Sequence, residues 1–134
     1  VSTKPPPKDP AIRTIAMPAD TNPAGDIFGG WLMSQMDLAA GNIAALTSRG
    51  RSATIAVEAM KFHRPVKVGD EVSLFAELLS VGRTSMKIHV EAWRRSRDSE
   101  DSEQVTEATF TFVALDFEGR PRPVYNMPSG SGPV

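Results

Sequence analysis

An α+β domain, with one antiparallel sheet of about five strands wrapped around a single long helix, is predicted by three features of this 134-residue sequence. One proline-free segment is rich in alanine, leucine and methionine, three later segments alternate apolar and polar residues, and short glycine-containing turns separate them. With 40% of its residues hydrophobic, the chain can form one domain that buries on the order of 70% of its unfolded surface.

Ile12 to Met17 is a first strand. Gly29 to Ser48 is the helix, because good helix formers dominate it and neither proline nor a β-branched run interrupts it. Its apolar residues, Trp31, Leu32, Met33, Met36, Leu38, Ile43, Ala44 and Leu46, are not confined to one stripe, so the helix is expected to be buried on several sides. Ala53 to Phe62 is a strand with less regular alternation. Period two is clear afterwards: Val72, Leu74, Ala76 and Leu78 share one face, as do Met86, Ile88, Val90 and Ala92, and then Ala108, Phe110, Phe112 and Ala114. Val68-Gly69-Asp70 and Val81-Gly82-Arg83 mark turns, and the charged stretch Arg94 to Gln104 is expected to be a solvated hairpin tip. Of 11 prolines, four lie in Val1 to Pro10 and four in Pro121 to Val134, which draws a domain over residues 11–122 between flexible tails at 1–10 and 123–134. A sheet of this size around one helix leaves edges and an open face that suit a second copy of the chain.

Composition removes several functions. Fifteen lysines and arginines against 16 aspartates and glutamates give no general attraction to nucleic acid or an anionic membrane, and neither partner is expected. The lack of cysteine excludes disulfides, zinc-thiolate sites and a cysteine nucleophile, and with only His63 and His89 a histidine-rich site is excluded too, so no metal is expected. No apolar run approaches the roughly 18 residues of a membrane span, and the polar, proline-rich start is no signal peptide. A soluble, cytoplasmic protein is the expectation.

Asp37 is the one carboxylate between Gly29 and Ser48, in the most apolar segment of the chain. An ionised group there is costly unless it is paired, wetted or used. It either hydrogen-bonds at an interface or does chemistry. Gly30, Ser34, Asp37 and Gly41 share one helical face of small and polar groups, with room for a ligand or for another backbone. At the helix start, Phe28-Gly29-Gly30-Trp31 offers free amides and a positive dipole end that suit an oxygen gaining negative charge; the alternative is a simple helix entry capped by Asp26. Gly29 and Asp37 are eight residues apart, about 12 Å along a helix, too far to act on one carbonyl carbon. If both are catalytic, they come from different subunits. Lys61, Arg64 and Lys67, with Arg83 and the Thr84-Ser85 turn, are candidates for holding a phosphate-bearing substrate or are ordinary loop charges. His63 and His89 each stand alone in sequence and are weak catalytic candidates.

The run from Met17 through Asp20-Thr21-Asn22-Pro23-Ala24-Gly25-Asp26-Ile27-Phe28-Gly29-Gly30-Trp31 to Asp37 resembles the YciA-type acyl-coenzyme A thioesterases, which have the hotdog fold. Val57-Glu58-Ala59-Met60-Lys61-Phe62, Arg64-Pro65-Val66, Val68-Gly69-Asp70, Val81-Gly82-Arg83-Thr84-Ser85 and Thr109-Phe110-Thr111-Phe112-Val113-Ala114 extend the similarity over nearly all of Arg13 to Arg122. The resemblance implies hydrolysis of acyl-CoA thioesters to free acid and coenzyme A, without a cofactor. It implies Asp37 as the catalytic aspartate, Asn22 as a polar helper from the other subunit, and Gly29 or Gly30 as the amide that polarises the carbonyl. Ser34, Lys61, Arg64, Arg83, Thr84 and Ser85 then fall where substrate and coenzyme A are met, in a homodimer that assembles into a hexamer. Two rivals are a non-catalytic acyl-CoA-sensing module and a hotdog hydratase or dehydratase. The second needs an imidazole in the Asp20-Thr21-Asn22-Pro23 loop, where Ala24-Gly25-Asp26 follows instead.

Overall fold

The computed structural model describes residues 4–125. The outer parts of both expected tails, residues 1–3 and 126–134, lie outside the described residues. Strand β1 (Ile12–Ile15) leads through a short 3-10 turn (Pro18–Asp20) to helix α1 (Gly29–Ser48). Four strands follow: β2 (Ser52–Phe62), β3 (Glu71–Val81), β4 (Ser85–Arg95) and β5 (Ser102–Ala114). They form one sheet in the order β1-β3-β4-β5-β2, with every neighbouring pair antiparallel. The expected α+β architecture is the observed one.

The period-two faces pack as their alternation demands. Val72 and Leu74 of β3, Met86, Ile88, Val90 and Ala92 of β4, and Ala108, Phe110, Phe112 and Ala114 of β5 are buried. They close on Leu32, Met36, Ala39, Ala40 and Ala44 of α1 to form the core. Alanines at three of those helical positions let the helix lie close to the sheet.

Burial of the helix on several sides is not what a single copy shows. The sheet covers one stripe, and Leu38 and Leu46 on the remaining surface are 60% and 68% exposed. One curved sheet reaches only one side of a helix, so an apolar face is left exposed on the other. The neighbouring sheet edge is equally open, since β2 pairs only with β5 and presents Ile55 at 60% exposure.

The hairpin tip is shorter than expected. β4 runs to Arg95 and β5 begins at Ser102, because Arg94 is paired rather than solvated. Its guanidinium donates to Glu103 at 3.1 and 2.7 Å and to the buried Asp70 at 3.1 Å. Gln104, within the expected tip, is buried. The weak alternation of β2 also has a cause: its register with β5 shifts between Thr54 and Ala56 and again between Glu58 and Lys61, and Ala59 in the second irregularity has φ 55°.

Packing continues past the domain boundary expected at residue 122. Val124 is 1% exposed and its amide donates to the Arg83 carbonyl at 2.9 Å. Beside it, Arg122 donates to the carbonyls of Ser48 at 2.8 Å and Leu115 at 3.1 Å, which fastens the C-terminal end of α1 to the segment after β5. Arg122→Ala should therefore lower unfolding free energy by about 1–3 kcal/mol, measured by urea denaturation at fixed protein concentration. An unchanged midpoint would show that the anchor is idle.

Candidate active site

The loop before α1 is shaped by Asn22. Its Oδ1 accepts hydrogen bonds from the amides of Ala24 at 2.9 Å and Asp26 at 3.1 Å. Its backbone amide donates to the Asp26 carbonyl at 2.7 Å. Among the described residues the side-chain NH2 of Asn22 has no acceptor, so it is the group left to meet a ligand.

The loop ends at Phe28, whose amide donates to the Asp20 carbonyl at 2.8 Å and which is the N-cap of α1. No side chain caps the helix, and Asp26 does not serve as the cap. The amides of Gly29 and Gly30 have no intrahelical acceptor and face outward at the positive end of the helix dipole. A cleft of about 310 Å³ opens there, lined by Phe28, Gly29, Leu32, Phe62, His63 and Arg64 among others. A Cβ on Gly30 would sit 2.5 Å from the exposed Phe28 ring, so a larger residue there requires that ring to move.

Asp37 lies two turns further on, in a different opening of about 570 Å³ whose lining includes Gly41, Asn42, Arg51, Ser52, Thr54 and Phe112. Its carboxylate is half-buried, and Oδ1 accepts a 2.5 Å hydrogen bond from the hydroxyl of Thr54 in β2. No other side chain among the described residues bonds this carboxylate, so Oδ2 stays open to the cleft. Thr54 escaped the sequence reading. Its one signal was a hydroxyl residue at the start of the strand beside the helix, a pattern common to many strands.

The remaining candidates divide between the two ends of the fold. Lys61 and Arg64 belong to the end where α1 begins, whereas the Arg83-Thr84-Ser85 turn lies beside the last residues of β5, through the bonds from Ala114 to Thr84 and Val124 to Arg83. β2 spans 11 residues between these ends, about 30 Å of strand. Ser34 is exposed and its hydroxyl donates to the Trp31 carbonyl at 2.7 Å, so it retains only acceptor capacity for a ligand. One copy of the chain therefore brings Asp37 to Thr54, and Gly29 to Arg64, but does not bring these two sets together.

This fold defines a class of proteins, the hotdog thioesterases. Residues 24–100 match the model of the thioesterase superfamily. An uncharacterized acyl-CoA thioester hydrolase of Zymomonas mobilis is 54% identical over 84% of this chain and 76% of its own length. The acyl-CoA thioester hydrolase YciA of Escherichia coli is 50% identical over 85% of this chain and 89% of its own. Among solved structures, HI0827, a hexameric broad-specificity acyl-coenzyme A thioesterase, superposes with a TM-score of 0.85 at 45% identity, covering 93% of this chain and 86% of that one. The chain belongs to the thioesterase superfamily, among the acyl-CoA thioester hydrolases of the YciA type.

Gly30→Ala tests how tightly the helix start is built. We expect a crystal structure of the variant to show the Phe28 ring turned into the cleft or out of it, with stability changed by less than about 1 kcal/mol because alanine also favours the helix. A Phe28 ring left in place would contradict the close packing described here.

Proposed function

We propose that this protein hydrolyses acyl-CoA thioesters to free carboxylic acids and coenzyme A, at a site assembled from two copies of the chain. The observation that carries this reading is the Asp37 carboxylate, held by Thr54 in an open cleft and separated by eight residues from an uncapped helix start. The family supplies the substrate class, since its curated relatives are named acyl-CoA thioester hydrolases.

A second copy completes the geometry. The open β2 edge and the exposed Leu38 and Leu46 beside it suit a two-fold dimer in which β2 pairs antiparallel with its counterpart. Antiparallel pairing sets the Ser52 end of one strand next to the Phe62 end of the other. The Asp37 cleft of one copy then meets the Gly29–Gly30 amides and the Asn22 carboxamide of its partner. Lys61 and Arg64 approach coenzyme A from one copy, and Arg83, Thr84 and Ser85 from the other, with Ser34 along the acyl path. Such dimers associate further into a hexamer, the assembly of the related HI0827.

In this site the thioester oxygen rests on the helix-start amides, which stabilise the charge it gains when the carbonyl carbon is attacked. Asp37 Oδ2 either takes the proton from the attacking water or attacks first to form an anhydride that water then opens. Both routes consume one water, break the C–S bond and return the proton to the departing thiolate. Thr54 fixes the carboxylate rotamer by occupying Oδ1. No cofactor enters the reaction, and coenzyme A is part of substrate and product. We place the reaction in the cytoplasm.

Free thiol release from a panel of short, medium, long and aromatic acyl-CoA thioesters tests the proposal. Asp37→Asn, nearly isosteric but uncharged, should lower turnover at least about 100-fold with the assembly intact by light scattering. Thr54→Val should lower kcat by about 10- to 100-fold through misplacement of the carboxylate, while KM changes little. Wild-type protein that binds acyl-CoA without turning it over would make this a binding module and overturn the assignment.

A further inference from the structure

A second cluster of titratable groups lies on the face of the sheet turned away from α1. In β4 the residues Ile88, Val90 and Ala92 are buried against the helix, so His89 and Glu91 between them point to the opposite face, and Glu107 of β5 shares it. The register sets Glu91 directly opposite Glu107. His89 Nε2 lies 3.3 Å from Glu107 Oε1 and 3.6 Å from Glu91 Oε2. The other oxygen of Glu107 is 3.8 Å from Nε2 of His63, a buried nitrogen without a hydrogen-bond partner.

Like charges directly opposite one another on adjacent strands repel, and this pair needs a positive charge between its members. His89 supplies one only as an imidazolium, and the other neighbouring side chains do not supply it. Lys87 is paired with Glu58 at 3.9 Å, and Glu77 of β3, opposite His89, adds a further negative charge. Lys61 lies opposite Glu107 in the register, but no ion pair joins them among the described residues.

The spacing fits a metal ion. A four-coordinate zinc site with bonds of about 2.0–2.1 Å has ligand atoms about 3.3–3.4 Å apart. Nε2 of His89 and one oxygen each of Glu91 and Glu107 lie within 4.8 Å of one another. The orienting partner that metal-binding side chains require is also present: the indole N–H of the buried Trp93 donates to Glu91 Oε1 at 2.9 Å, which leaves Oε2 for a cation.

We propose that His89, Glu91 and Glu107 bind one divalent transition cation of the zinc type, with water in the fourth position. Mixed imidazole and carboxylate donors select this class over calcium or magnesium, which prefer oxygen alone. The sequence led to an expectation of no metal because it contains only two histidines; strand register gathers three ligands, at positions 89, 91 and 107, that no local spacing announces. A bound ion ties β4 to β5 and fixes Glu107, whose other oxygen lies 3.8 Å from His63 in the His63–Val66 segment that lines the cleft at the start of α1. The site thereby braces one wall of that cleft from behind.

The test uses the full chain in its native assembly, stripped with a chelator, titrated with zinc by calorimetry and with cobalt(II) by visible absorption. We expect one ion per chain and the intense absorption of four-coordinate cobalt. His89→Gln and Glu107→Gln should each weaken zinc binding by more than about 100-fold, whereas His63→Gln should leave the four-coordinate cobalt spectrum in place. Glu107→Gln removes the repulsion and should keep or raise metal-free stability, so its loss of binding is not a loss of folding. Absence of the cobalt spectrum in the wild type, or zinc binding by His89→Gln within about twofold of wild type, would overturn the proposal.

Discussion

One helix of 20 residues carries more apolar surface than a single five-stranded sheet can cover. Leu32, Met36, Ala39, Ala40 and Ala44 satisfy the sheet, while Leu38 and Leu46 stay exposed in the single chain, and in the proposed dimer a second copy covers them. The same shortage leaves β2 as a long open edge. Hydrophobic burial and unpaired strand amides thus act on the same side of the fold. The proposed site depends on this, because helix geometry keeps Asp37 and the Gly29–Gly30 amides apart within one chain.

Local interactions then prepare each half-site. Asn22 uses its oxygen to fold the loop before α1, which frees its NH2 group, and Phe28 rather than a polar side chain precedes the helix, which frees the first amides. An ordinary N-cap would be better for helix stability and worse for binding a developing oxyanion. At the other half, Thr54 holds one oxygen of Asp37 and leaves the other. Arg122 and Val124 pin the far end of the helix and the Arg83 turn. In each case a polar group is partly satisfied, and its remaining capacity is what the proposed site offers a substrate.

Much of this was legible in the sequence because it is governed by periodicity. The alternation in β3, β4 and β5 and the composition of α1 set the element order and the core, and the 21-residue run from Met17 to Asp37 carried the family resemblance. What was missed is tertiary in origin. Arg94 looked like a loop charge because its partners, Asp70 and Glu103, are supplied by a distant turn and by the facing strand. Thr54 was passed over because its importance comes from a helix residue 17 positions earlier. His63 and His89 stood alone in sequence, yet both lie beside Glu107 once β4, β5 and the end of β2 are in register. Side chains that act through partners on other strands leave no local pattern to find.

The central claim is that one working site draws Asp37 from one copy and Asn22 with the helix-start amides from another. It is tested by mixing two inactive variants, Asp37→Asn and Asn22→Ala, after joint refolding or co-expression. Random pairing would leave about a quarter of the sites with neither substitution, so the mixture should recover on the order of a quarter of wild-type turnover although neither parent is active. If each site were built within one chain, every site would carry one substitution and the mixture would stay as inactive as its parents.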